Sequence, residues 1–406
     1  MRLKGDVTAR EAVRSSRPNW RFVLGSLLLS AAYCPKEALI LSGAEMSDSQ
    51  VRAEELASFE DVDSEQPIPP ENIVAYNELR SCADLFRMYV GQKLEIQPDF
   101  QREFVWKADD QTRFIDSLVK QLPIPSMCFS LDYKTQRWKV IDGLQRMSTI
   151  IRFLSEAPWR LSNLSDIHSL LRLARNTDLK NGTDEQKRLF SLVEDVSIPI
   201  TVIRCDYSQK SHMLYLFTIF HRLNSGGVRL TNQEIRNCIY TGPFNNALKK
   251  FDSSNRHWQS VKKRIWGSMD RFRSVEVLLR VLAFSESRGR YDGNLARFLN
   301  DYMHEKTNDL VFSGALDARL DAVVSMCHAV LTREPQKKLP LLLVEALLVA
   351  LDVDLKIAEA FSGDKLHQCY LKMRGDGAFK ESALYAVSSA DNVRLRLDAA
   401  IAAFAE

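Results

Sequence analysis

The sequence has no Cys-x-x-Cys pair, no Gly-Lys dipeptide, no His-Glu-x-x-His, no Gly-x-Ser-x-Gly and no Gly-x-Gly-x-x-Gly. These absences exclude a Walker P-loop, a zincin, a nucleophile elbow and a dinucleotide fingerprint. Seven cysteines (34, 82, 128, 205, 238, 327 and 369) are odd in number and widely spaced. That pattern argues against a disulfide framework or a structural zinc site and for reduced, buried thiols in a cytoplasmic protein. Charge of one sign is also missing: 55 Lys and Arg oppose 52 Asp and Glu, a formal net charge of +3. A histone-like polycation is excluded, while local basic surfaces are not. The seven histidines are scattered, with no His–Asn–His cluster of a metal nuclease.

Long hydrophobic runs are scarce too. The run LPLLLVEALLVAL, residues 339–351, is too short for a bilayer and is broken by Glu345, so a buried core helix is expected. The run FVLGSLLLSAAYC, residues 22–34, follows Arg10, Arg14, Arg17 and Arg21 and has the pattern of a secretory signal. Asp6, Glu11 and the acidic start at Met46 favour a different reading, in which residues 1–45 are an upstream extension from a misplaced start codon. No membrane association is expected.

What is present is 406 residues, 45% apolar and 26% charged, close to an ordinary globular composition. Residues 46–71 read as a flexible acidic lead-in ending in PIPPE. Residues 72–240 read as a mixed α/β core and 241–406 as an all-helical region, so the expected class is α+β. A helix is expected over Asn77 to Val90, and another with Phe114, Ile115, Leu118 and Val119 on one face. SMCFSL and RWKVI are expected strands around a DYKTQ turn, and PITVI a third. Residues 155–195 are polar, with TDLKNGTDEQ expected as a loop. Met147, Ile150, Ile151 and Leu154 have the spacing of a core-facing helical stripe.

The sharpest local feature is strand, tight turn, helix: WKV-IDGLQR-MSTIIRFL. Asp142 ends the strand, Gly143 permits close backbone approach, and Gln145 and Arg146 open the helix. Free amides at a helix start suit an anion, and an arginine adds a fork for phosphate oxygens. Asp142 can hold Mg²⁺ or orient a water, or it can simply cap the helix. A second feature, IQPDFQREFVW, places Gln101 and Arg102 between aromatic anchors. A third, FHRLNSGGVRLTNQEIRN, offers Arg222 and Asn224 beside a Gly-Gly turn, with Thr231 and Glu234 spaced as a capping box. A fourth, SVKKRIWGSMDRFR, interleaves Lys262, Lys263, Arg264 and Arg271 with Trp266 and Phe272, which suits DNA or a solvated helix face.

In order and spacing, PDFQREFVW, the LPIP–strand–VIDGLQR block and FHRLNSGGVRLTNQEIRN together resemble the GmrSD restriction-endonuclease N-terminal domain family, also known as DUF262. The family's middle motif is usually written DGQQR; here Leu144 replaces the first Gln. The resemblance implies a ParB/sulfiredoxin-like fold whose strand–turn–helix corner binds a nucleoside triphosphate with a divalent cation, and a role in restriction of phage DNA. It makes Asp142, Gln145 and Arg146 catalytic candidates, with Asp142 as metal ligand. Gly143, Gln101, Arg102, Arg222 and Asn224 become nucleotide-binding candidates. An HNH-type nuclease half, often a separate subunit, is missing from the pattern of residues 310–406, so a partner nuclease is expected. Two alternatives stay open: a binding module that senses nucleotide or DNA without turnover, and a nicking DNase using the same pocket.

Overall fold

The computed structural model describes residues 69–96, 106–223, 230–267, 271–335 and 338–405. Gln101, Arg102 and Asn224 lie outside the described residues, as do residues 1–45.

Five strands form one mixed sheet: β1 (Val74–Ser81), β2 (Leu94–Glu95), β3 (Met127–Asp132), β4 (Trp138–Asp142) and β5 (Ser197–Cys205), in the order β1-β5-β3-β4-β2. β1 runs antiparallel to β5, β5 parallel to β3, β3 antiparallel to β4, and β4 parallel to β2. Strand side chains alternate between faces, and here each face has its own core. Met127, Phe129, Leu131, Val140, Ile200 and Val202 belong to one cluster. Cys128, Ile141, Ile203 and Cys205 belong to another.

The first face is covered by α1 (Cys82–Val90), α2 (Ala108–Val119), α3 (Leu144–Leu154) and α5 (Asp184–Asp195), with the short α4 (Asn176–Asn181) beside them. The second face is covered by α6 (Lys210–Leu223) through Met213, Leu216, Phe217 and Phe220. Behind it lie the remaining helices: α7 (Asn232–Ile239), α8 (Pro243–Ser254), α9 (Arg256–Trp266), α10 (Arg273–Ser287), α11 (Leu295–Lys306), α12 (Leu310–Thr332), α13 (Leu341–Val353), α14 (Leu355–Ala360), α15 (Gly363–Gly375), α16 (Gly377–Glu381) and α17 (Ala390–Phe404). The class is therefore α+β, as expected. The helical region continues the core that begins on the sheet, and the described residues form one compact unit.

Two stretches differ from the sequence reading. Residues 77–81, expected to open a helix, belong instead to β1, because their partner is the remote strand β5. The helix starts only at Cys82, where the Ser81 hydroxyl accepts from the Asp84 amide at 3.1 Å. Within 155–195, two helices replace much of the expected loop. Thr183 and Gln186 form a capping box that starts α5, and Leu189, Phe190 and Val193 bury one face of it. The buried Asn176 side chain pins the preceding chain: it accepts from the Trp159 amide at 2.7 Å and donates to the Ser155 carbonyl at 2.9 Å.

The six described cysteines are buried and unbridged. Among the described residues no helix is long and apolar enough to cross a membrane. Residues 341–351 of that run lie in α13, whose residues 341–352 are all buried. Its Glu345 is held by Arg280 of α10 at 3.5 Å.

Candidate functional site

β4 ends in an irregularity that builds the site. Ser130 pairs with Lys139 and Phe129 with Val140, yet Cys128 pairs with Asp142, so Ile141 is an extra residue opposite β3. Strand side chains have period two, and one extra residue reverses the facing of everything beyond it. Without the bulge, Asp142 would face α1, α2 and α3. With it, the carboxylate lies on the α6 side, beside Cys128.

Gly143 follows at φ +93°, a left-handed conformation, and is the N-cap of α3. A Cβ there would lie 2.5 Å from Cγ of the fully buried Met127. Glycine thus serves backbone geometry and close packing at once. Because Gly143 holds the cap position, Asp142 does not cap α3. Instead its Oδ2 accepts from Nη2 of Arg146, one turn on, at 2.9 Å. Nη1 of Arg146 donates to the Pro125 carbonyl, with the Ser126 carbonyl at 3.4 Å. Arg146 is largely shielded, with 14% of its side chain exposed, whereas Asp142 keeps 41%. The arginine is the buttress and the carboxylate is the presented group.

Asp142 borders a cavity of about 380 Å³ between the sheet and α6. Ala75, Cys128, Thr201 and Ile203 line its sheet side, and Tyr215, Ile219 and Leu223 its helix side. Ser126 Oγ lies 3.2 Å from Thr201 Oγ1, which donates to Asn77 Oδ1 at 2.9 Å. Burial, and after it the Asp142 charge, pushes the Cys128 thiol up to about 12, so it stays protonated and is no nucleophile.

The separated motif blocks meet at this corner. Gln145 Oε1 accepts from the Trp106 amide at 3.0 Å, which ties the end of the first block to the start of α3. Leu223, in the third block, lines the cavity, and the adjacent Arg222 is exposed in the last turn of α6. The expected capping box is present: Thr231 Oγ1 accepts from the Glu234 amide at 3.2 Å, and Glu234 Oε2 from the Thr231 amide at 2.6 Å.

Residues 83–241, which contain all three blocks, match the family model described as GmrSD restriction endonuclease, N-terminal domain. This segment is a GmrSD N-terminal domain. No curated protein matches the chain. In this GmrSD domain Leu144 stands inside the motif corner and packs against both core clusters.

The fourth block is used differently. Lys262 donates to Asp252 Oδ2 at 3.1 Å, and Arg264 to the Leu331 and Pro335 carbonyls at 2.6 and 2.7 Å. Arg271 donates to Glu234 Oε2 at 2.8 Å. These three groups brace the helical region internally, while Lys263 is exposed.

Several site features have little sequence signal. The cavity groups Ser126, Thr201 and Tyr215 come from three remote elements. Lys139, also on β4, is buried; its Nζ donates to the Ile239 carbonyl at 2.7 Å and lies 4.5 Å from the Tyr207 ring centroid. Burial lowers its pKa to about 8 against the opposing pull of Glu95, Cys238, Cys205 and Asp132. A lysine among the apolar Trp138, Val140 and Ile141 is its sequence signal. For metal, no cluster of three or more His, Cys, Asp or Glu occurs among the described residues. Asp142 alone suits Mg²⁺, which is commonly held by one or two carboxylates together with substrate phosphates.

Proposed function

We propose that this chain binds a nucleoside triphosphate with Mg²⁺ at the Asp142 corner, hydrolyses it, and acts in restriction of foreign DNA together with a partner nuclease. The observation that carries this reading is Asp142 itself. A bulge turns it into a 380 Å³ cavity, and Arg146 holds it there at 2.9 Å. The GmrSD family match supports the restriction role.

In this reading the first-turn amides of α3 face the phosphates, and the helix dipole favours their charge. Gly143, at φ +93°, makes the turn from β4 that begins this helix. Asp142 orients either the attacking water or the cation's shell, and Arg146 fixes its rotamer. Bound Mg²⁺ would neutralise phosphate charge as the terminal bond breaks. Purified protein with Mg²⁺ is expected to release phosphate from a nucleoside triphosphate, and Asp142→Asn to abolish release while keeping the fold. Equal release by wild type and variant refutes the assignment.

A second reading, binding without turnover, is favoured by one observation: Arg146 is committed to Asp142, so this pair neutralises itself rather than offering Arg146 to a transition-state charge. Saturable nucleotide binding in calorimetry with no phosphate release distinguishes it.

A further inference from the structure

We infer that the cavity beside Asp142 is the seat of the uncharged ring end of the nucleotide, the base with its sugar, while the phosphates stay at its mouth. This rests on the nucleotide reading above and adds to it a subsite that the motif residues do not form.

No Lys or Arg is among the described lining residues, and Asp142 is the one formal charge there. A phosphate pushed inside would lose its hydration without gaining a counter-charge. The walls are otherwise apolar, from Ile73, Ala75, Met127, Ile203, Ile219 and Leu223, with the Tyr215 ring on the helix side. Polar function is confined to a few hydroxyls. Thr201 donates to Asn77 and lies 3.2 Å from Ser126 Oγ, which leaves its oxygen able to accept once more, from a ligand. Apolar walls with a few placed polar groups are what a flat heteroaromatic ring requires. The volume, about 380 Å³, falls in the range of small-ligand sites and exceeds what a bare phosphate fills. Asp142 stands at one border of this space, immediately before the helix that would take the phosphates. A ligand with a neutral flat end and a polyanionic end therefore matches both halves.

The test is titration calorimetry on the full chain with Mg²⁺. The probes are ATP, GTP, CTP and UTP, and separately inorganic tripolyphosphate. Ala75→Trp and Ile219→Trp place an indole in the cavity from β1 and from α6. Ala75 is exposed, so its replacement spares the packed core. Melting curves followed by circular dichroism check the fold of both variants. Both are expected to bind tripolyphosphate like wild type and the preferred nucleotide roughly tenfold more weakly or worse. Unchanged nucleotide affinity in folded variants overturns the subsite alone. So does a wild type that binds tripolyphosphate as tightly as every nucleotide, a comparison that needs no variant. A wild type that binds none of these probes overturns the nucleotide reading, and the subsite with it.

Discussion

Gly143 carries two demands that no other residue meets together. At φ +93° an L side chain is strained, and its Cβ would press on Met127. Gly143→Ala is expected to lower stability by about 2–4 kcal/mol, read as a lower denaturant midpoint. Lys139 makes an opposite demand, because it buries a charge. Its pKa falls from 10.5 in the unfolded chain to about 8 in the fold. Between those values the unfolded chain holds more protons, so stability rises with pH across that window. Below it, the buried ammonium costs roughly 3 kcal/mol. Relative to Lys139→Met, wild type should therefore gain stability between pH 7 and pH 10. Denaturant midpoints at both values for both proteins measure the gain, and parallel pH curves would refute the depressed pKa. Asp142 is more exposed, so its ion pair contributes about 1 kcal/mol or less. Its removal should disturb binding far more than folding.

Among elements, α7 is the least expected. Its sequence NQEIRNCI is polar, yet every residue is buried. Arg236 donates to Glu276 Oε2 at 3.0 Å and to Asn300 Oδ1 at 2.8 Å, and Arg280 donates to the other Glu276 oxygen at 2.8 Å. Glu345 joins the group, so these two arginines face two glutamates. Removing one charge strands the rest in low dielectric. Glu276→Gln is expected to cost about 3–5 kcal/mol, checked by chemical denaturation. This network shows where sequence reading stops. The stripe Met147, Ile150, Leu154 and the apolar strands β3 and β4 were legible, because period and burial agree. The Asp142–Gly143 turn was legible from Gly143 alone. β1 was not, since its pairing with β5 spans more than 100 residues. The facing of Asp142 was not either, since a one-residue bulge leaves no mark in composition. Polar residues such as Arg236 read as surface until their distant partners are known.

At the scale of the molecule, the sheet is a wall shared by two cores. One face packs helices from the first half of the chain, and the other packs α6 and the helices behind it. The GmrSD domain match ends at residue 241, but the packing does not. A chain cut after Tyr240 would keep α6 on the sheet but leave the buried Arg236 without Glu276 and Asn300. Such a fragment is expected not to fold cooperatively, seen as loss of a sharp thermal transition and binding of a hydrophobic dye. A cooperative melt like that of the whole chain would show that the α/β half stands alone.

The Asp142 corner is the point on which function turns, and calorimetric titration of Mg²⁺–nucleoside triphosphate into wild type and Asp142→Asn reaches it most directly. Saturable binding by wild type, at least roughly tenfold weaker in the folded variant, is the predicted result. Identical isotherms for the two proteins would contradict the account.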